Sequence, residues 1–534
     1  MQLHKNRKRA YWRIVDAAAG VELAAEGQAA IGVCLSAIRE GYGHVGASVE
    51  SRQGQEQDRW CHWALDRDFV GPVTIVRLWG PLPSGDSSVG YTFAESKPLP
   101  AMSTKKPSRR SFLKTSATGA AAVAATGSIS ALRAASPVHQ GGGQLKIGIV
   151  GVGGRGSGAA VQAIMADKEN VLYAAGDAFA DRMEGGLAGV LKSATAAGRE
   201  TQFQVPPERR FVGIDALDKV LATGIDVVLL ATPPGFRPMQ IERSVEKGVH
   251  VFAEKPVAVD APGVRRVEAA CKLAQQKGLS VVSGLCYRYH DGRRAVVQKL
   301  QEGAIGEIQT IQGNYMTGEL WFRQVQPQWN DLQKQVRNWL YYTYLSGDHI
   351  AEQHIHTLDL MAWIKGDVYP SAVVSMGGRQ KRTDAKYGNV YDHFCNNYEW
   401  EDGTQGISQC RQQNNTARSV NEFVSGTEGK ANIFRHQIVG KNEWRYADKA
   451  RNMYQAEHDE MFRALRAGKT INNGEYMCNS TLMAIMGRMS AYTGKRVTWK
   501  QAHESTEVLM PNLLAWGDQP PKSEVSVPGV TKFS

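Results

Sequence analysis

The stretch "LKIGIVGVGGRGSGAAVQAI", Leu145 to Ile164, decides the fold. A short apolar run ends at Val150, a glycine-rich turn follows, and a helix-like stretch comes next. Gly151, Gly153 and Gly156 stand in the spacing G-x-G-x-x-G. In a strand–turn–helix unit the first glycine permits the tight turn and the second lets the backbone approach a pyrophosphate. The third lets helix and strand pack closely. The phosphates then face the free N–H groups of a helix N-terminus. Gly151, Gly153, Gly154, Arg155 and Gly156 are therefore predicted to hold a dinucleotide.

The runs that follow support this context. "VLYAAGD" (171–177), "DVVLLAT" (226–232), "VHVFAEKP" (249–256) and "LSVVSG" (279–284) are apolar and β-branched, and helix-like stretches separate them. Strands alternating with helices predict a parallel sheet covered on both faces. Asp177 ends the second run, where an acid binds the adenosine ribose hydroxyls and favours NAD over NADP. Arg182 lies close enough to keep NADP open, and an ordinary loop carboxylate is the plain alternative for Asp177. Thr232, Pro233, Glu254 and Lys255 follow further strand ends and complete the predicted cofactor set. A lysine at the carboxyl end of a parallel strand points into the ligand crevice. Lys255 could polarise a carbonyl there, or be a solvated surface lysine.

After about residue 290 the texture changes. "GEIQTIQGNYM" (306–316), "SAVVSMGG" (371–378), "DHFCNNYEWEDGTQGISQCRQ" (392–412) and "VNEFVSGTEGKANIF" (420–434) alternate apolar and polar residues around turns. That suits an antiparallel sheet with one wet face. Two helices are predicted near 454–467 and 477–493. The fold class is α/β, with a Rossmann domain at 136–285 and an α/β domain with a large, mostly antiparallel open sheet at 286–534.

The densest polar cluster is "SGDHIAEQHIHTLDLMAWI" (346–364). Glu352, His356 and Asp359 fall at i, i+4 and i+7, one face of a helix. An imidazole with a carboxylate one turn away is a candidate general base with a fixed orientation. His349, His354 and His356 also cluster, but no H-E-x-x-H spacing occurs, so no metal is predicted.

Upstream, "SRRSFLKTSATGAAAVAATG" (108–127) has a basic start, an uncharged small-residue run and the S-R-R-x-F-L-K pattern of a twin-arginine export signal. Residues 102–135 are predicted to be that signal, cleaved between Ala131 and Ser136. Export signals act at an N-terminus, and Met102 stands directly before this one. Residues 1–101 are therefore expected to be disordered, translated upstream sequence; a real extra domain is the alternative. The chain's net charge of +11 includes six basic and no acidic residues in 102–135. The rest is only mildly basic, so no nucleic-acid partner is expected. Five cysteines follow residue 135 with no C-x-x-C, which argues against a disulfide framework or zinc site.

The glycine turn, "EKP" (254–256), "EGAIGEI" (302–308) and the E-x-x-x-H-x-x-D segment (352–359) occur in the order that resembles the glucose–fructose oxidoreductase / inositol dehydrogenase (Gfo/Idh/MocA) family. The resemblance covers about 144–500. It implies a Rossmann domain, then a domain whose open sheet carries the substrate side and often the oligomer contact. It implies that Lys255 and His356 are catalytic, with Glu352 orienting the histidine. Asp359 matches the acid that closes the motif, and Arg288 and His354 are candidate substrate contacts with it. Arg237 stands where a histidine is common, and "SGD" (346–348) replaces a frequent triple glycine. Trp321, Trp329, Trp339, Tyr341 and Tyr342 precede the motif and offer rings that suit sugars. The implied activity is NAD(P)-dependent oxidation of a sugar or polyol hydroxyl. Free NAD is scarce outside the cytoplasm, so an exported enzyme would carry its cofactor folded in and recycle it in place. An NAD-dependent glycosidase and a non-catalytic sugar-binding protein are the rival expectations.

Overall fold

Val227–Leu230 and His250–Ala253 are buried along their whole length, as strands covered on both faces must be. In the computed structural model they lie in a six-stranded parallel sheet. Its strands are β1 (Leu145–Val150), β2 (Asn170–Asp177), β3 (Arg210–Val212), β4 (Val227–Leu230), β5 (His250–Ala253) and β6 (Val281–Ser283), in the order β6-β5-β4-β1-β2-β3. The chain runs outward from β1 to β3 and then crosses back to β4. Ligands of such sheets bind at that switch point, beyond the carboxyl ends of the strands. The linking helices are α1 (Gly154–Ala166), α2 (Ala180–Ala196), α3 (Ala216–Leu221), α4 (Arg237–Glu246) and α5 (Ala261–Lys277). Helix α5 shows why its ends were readable. The Asp260 side chain accepts the Gly263 N–H, and Gly278 closes the helix at φ 65°.

The structure describes residues 143–513 and 515–533 in full. It also describes the backbone of strands Gln2–Asn6, Arg9–Asp16, Val21–Glu26, Val33–Ser36 and Thr74–Arg77, which belong to a separate unit, Met1–Gly127. The expected signal at 102–135 and most of 1–101 lie outside the described residues.

The second sheet has nine strands. They are β7 (Ile308–Thr317), β8 (Ala372–Gly378), β9 (His393–Glu399), β10 (Gln405–Gln412), β11 (Ser419–Gly426), β12 (Gly429–Asn432), β13 (Gln437–Gly440), β14 (Trp444–Arg445) and β15 (Val497–Thr498). The order is β14-β13-β12-β11-β7-β10-β9-β8-β15, and only β7 and β10 run parallel. The predicted alternation is present: β10 buries Gly406, Ser408, Cys410 and Gln412 and turns the residues between them outward. Val374, Met376, Ile407 and Phe423 sit exposed on strands β8, β10 and β11.

Helices α6 (Asp291–Gln301), α7 (Asp331–Arg337), α8 (Thr343–Ser346), α9 (His349–Glu352) and α10 (Ile355–Ile364) precede the predicted C-terminal helices, α11 (Met453–Arg466) and α12 (Gly474–Thr493). They return to the first half of the chain: α11 packs on α1, and α12 packs on both α5 and β8. Helix α12 is therefore buried nearly all round, its polar Ser480, Thr481, Arg488 and Ser490 included. A split at residue 285 describes the order along the chain and misses this return.

Candidate active site

The glycine turn has the shape its sequence demands. Gly151 adopts φ 89°, and a Cβ there would stand 2.7 Å from the Ala231 backbone. A Cβ on Gly156 would stand 1.8 Å from the Gly151 oxygen. Gly154, by contrast, opens α1 with no atom within 4 Å of where its Cβ would be. Gly153 is the N-cap and offers no side-chain partner, so the first helical amides face open space. A pyrophosphate fits there on both shape and charge.

Asp177 ends β2 beside this turn. Its Oδ2 accepts the Val152 N–H at 2.7 Å and its Oδ1 accepts the Phe179 N–H at 2.9 Å. Burial pushes its carboxyl up, and those two amides and Arg182 oppose the shift. Asp177 therefore shapes the turn through both of its oxygens. It and Gly151, Gly153, Gly154, Arg155, Gly156, Thr232, Pro233, Glu254 and Lys255 all line one cleft of about 880 Å³.

Lys255, Glu352 and His356 line the same cleft. The structure corrects how they are joined. Helix α9 ends at Glu352 and α10 (Ile355–Ile364) begins three residues later, so no single helix face carries the motif. Residues 353 and 354 are drawn to the sheet instead. Gln353 Oε1 accepts from Gln412 Nε2 at 2.8 Å, and the buried His354 Nε2 meets Ser408 Oγ at 2.6 Å. Glu352 consequently serves Lys255. The lysine Nζ donates to the Glu352 carbonyl and stands 3.7 Å from its Oε1. Among the described residues no hydrogen bond joins Glu352 to His356. The imidazole is instead stacked on Tyr287, and its Nδ1 is enclosed without a partner. Burial first, then Lys255, Arg293 and Arg155, holds its pKa well below the usual value. The ring is therefore neutral near pH 7 and able to accept a proton.

Arg288, His354 and Asp359 are not brought to the cleft. Arg288 donates to Asp359 at 2.8 and 3.0 Å and to Asp367 at 2.6 Å, and Asp359 also accepts from Ser480 Oγ at 2.8 Å. Asp359 lies one turn beyond His356 on α10, and its carboxylate is taken up by Arg288 and Ser480. His354 is fully buried on Ser408, and burial lowers its pKa to about 3.

Residues not singled out in the sequence also join the cleft. From the C-terminal half, Tyr315 of β7, Gln353, Trp321, Arg323 and Trp339 line the cleft; Trp329, Tyr341 and Tyr342 do not. The alternation of β7 was the one signal for Tyr315. Arg237, noted in the sequence only as a departure, is buried and donates to the carbonyls of Thr232 and Pro256. It ties the ends of β4 and β5 together, and burial lowers its pKa to about 10. Glu254 pairs with Arg155 Nε at 2.8 Å. Among the described residues no group of three His, Cys, Asp or Glu is placed to hold a metal ion.

Two family models divide this chain where its texture changes. The model "Oxidoreductase family, NAD-binding Rossmann fold" matches residues 145–285, and "GFO/IDH/MocA C-terminal domain" matches residues 293–432. The chain belongs to the Gfo/Idh/MocA oxidoreductase family. Its first domain is that family's NAD-binding domain, which agrees with the open helix N-terminus at Gly153–Gly154. The 2,7-anhydro-N-acetylneuraminate hydratase of Escherichia coli is 24% identical over 242 residues, 45% of this chain and 60% of that protein. The inositol 2-dehydrogenase of Rhizobium meliloti is 32% identical over 98 residues, 18% of this chain and 28% of that one. This Gfo/Idh/MocA chain spans about half the length of the curated relatives it matches first. The scyllo-inositol dehydrogenase of Lactobacillus casei, solved with NAD(H) and scyllo-inositol, shares the fold. Its TM-score is 0.51 at 19% identity, covering 67% of this chain and 99% of that one.

Proposed function

We propose that this family member is an NAD(P)-dependent oxidoreductase acting on a hydroxyl of a sugar, sugar derivative or polyol, with its cofactor retained and recycled on the protein. One observation carries the reading. Lys255 from the Rossmann half and His356 from the C-terminal half line the cleft that begins at the glycine turn. Bound NAD supplies the two-electron acceptor for a substrate C–H. The neutral His356 imidazole takes the hydroxyl proton. The Lys255 ammonium, held by Glu352, stabilises the oxygen as it becomes negative. Arg237 keeps the Lys255 strand end fixed against Thr232. Trp321 and Trp339 offer aromatic faces to an apolar side of a sugar ring.

The proposal includes export. The S-R-R-x-F-L-K pattern at 108–114 supports delivery of the folded, cofactor-loaded protein by the twin-arginine machinery to the periplasm. A homo-oligomer formed through the open sheet is proposed with it, and the exposed Val374, Met376, Ile407 and Phe423 support that contact.

An NAD-dependent glycoside hydrolase is the second reading. The E. coli relative is named a hydratase, and adding water involves no net redox change. The same His356 and Lys255 would serve transient oxidation and its reversal. Native and denaturing mass spectrometry of the purified protein tests retention of the cofactor. A panel of free sugars, polyols and nitrophenyl glycosides tests the reaction. Sugars or polyols that generate NADH fluorescence, with no phenol released, support the oxidoreductase. Phenol release from one glycoside with NAD bound overturns it in favour of the hydrolase.

A further inference from the structure

Three stretches distant in sequence meet at one end of the cleft. An acid at the end of the second Rossmann strand sits beside the adenosine ribose, so the residues just after Asp177 flank the adenosine. Arg337, the last residue of α7 (Asp331–Arg337), reaches them from the C-terminal half. Its Nη1 donates to Asp181 Oδ1 at 2.9 Å, and its other terminal nitrogen donates to Oδ2. The guanidinium carbon also lies 4.8 Å from the centre of the Phe179 ring and 5.2 Å from that of Trp329. Phe179 touches two tryptophans, Trp329 at 6.0 Å and Trp516 at 5.3 Å between ring centres. Asn330, which caps α7, donates to the Trp516 carbonyl at 2.6 Å. Beneath these groups Leu332, Val336, Tyr344 and Leu513 form a small core of their own, with Phe179 and Trp516 packed against it.

We propose that Arg337, with Trp329 and Trp516, is a clasp across the adenosine end of the NAD cleft and sets the rate at which the cofactor leaves. The proposal deepens the reading of a retained cofactor and rests on it. An exposed ion pair contributes little on its own. Here the Arg337 side chain is only 13% exposed, against 64% for Asp181, and its guanidinium is held against two aromatic rings, which strengthens the attraction. Phe179 and Asp181 belong to the cofactor domain, whereas Arg337, Trp329 and Trp516 come from the other half. For the adenosine end to leave, these contacts must part, together with those the cofactor makes itself. The clasp therefore slows release without touching the reacting atoms.

The test uses the full chain loaded with NADH and mixed rapidly with excess NAD, so that the loss of NADH fluorescence reports release. Arg337→Gln and Asp181→Asn should each speed release about tenfold or more. The double variant should be no faster than the faster single one, because both remove one contact. The reversed pair, Asp181→Arg with Arg337→Asp, should slow release again. Trp516→Ala leaves the ion pair in place and should also speed release. Near-ultraviolet circular dichroism checks that each variant is folded. If an ion-pair variant does not fold, the Trp516→Ala rate decides. Release at the wild-type rate in the folded single variants, or single effects that multiply in the double variant, would overturn the clasp. Wild-type protein purified without NAD would instead sink the retained-cofactor reading, and the added-NADH rates would still judge the clasp.

Discussion

The Tyr287 ring is stacked on the His356 imidazole, with centres 4.8 Å apart and planes 27° apart. The Arg293 guanidinium lies 3.7 Å from the centre of the same tyrosine ring. The imidazole is thus positioned by an aromatic face with a cation behind it, where the sequence pattern suggested a carboxylate. Burial and the nearby cations both disfavour imidazolium.

Activity should therefore persist into acid. The unprotonated ring is the active form, and its pKa lies well below 6.5, so the acid limb of kcat against pH should lie below that value. Arg293→Met removes one cation and should move that limb towards higher pH; Arg293→Lys should largely restore it. A limb at 6.5 or above in the wild type would contradict the neutral buried imidazole.

Stability should fall in acid for a related reason. His458 is fully buried against Phe252, with both ring nitrogens unpartnered, and burial holds its pKa well below 6.5. The unfolded chain binds a proton there as pH drops below about 6.5 and the folded chain does not, so stability is lost as pH falls through that range. His458→Phe removes this linkage and the unpartnered nitrogens together. Chemical denaturation at pH 8 and pH 5 should show a smaller loss between the two than the wild type shows. An equal loss would sink the prediction.

The glycine turn offers a contrast between neighbours. Gly156→Ala forces a Cβ into the Gly151 carbonyl and should cost at least ~1–3 kcal/mol of stability. Gly154→Ala meets open space in a helix and should gain ~0.5–1 kcal/mol. It should nevertheless weaken NAD binding, because the methyl enters the space assigned to the pyrophosphate. Thermal melts with and without NAD measure both effects.

Arg288 and Asp359 form a buried pair away from the cleft. Arg288→Met leaves a carboxylate with much less compensation and should cost ~3–5 kcal/mol. Any surviving folded protein should bind NAD with unchanged affinity by fluorescence titration and show an unchanged KM for substrate. A raised KM at full stability would restore these residues to the substrate site.

The sequence alone determined the strand–turn–helix unit at 145–166, because the demands on Gly151 and Gly156 are local: a positive φ and no room for a Cβ. It determined the parallel and antiparallel textures of the two halves, because burial on two faces or one leaves continuous or alternating patterns. It also located Lys255 and His356. Tertiary structure decided what these residues touch. Spacing placed Glu352 and His356 on one helix face. Polar contacts from Gln353 and His354 to β10 broke that helix and turned Glu352 towards Lys255. The family resemblance made Arg288 a candidate substrate contact, but only the packing of α10 shows its charge spent on Asp359. Tyr287 beneath His356 and Arg337 across from Asp181 join residues 69 and 156 positions apart. No local pattern encodes such pairs, because only the folded chain brings them within reach.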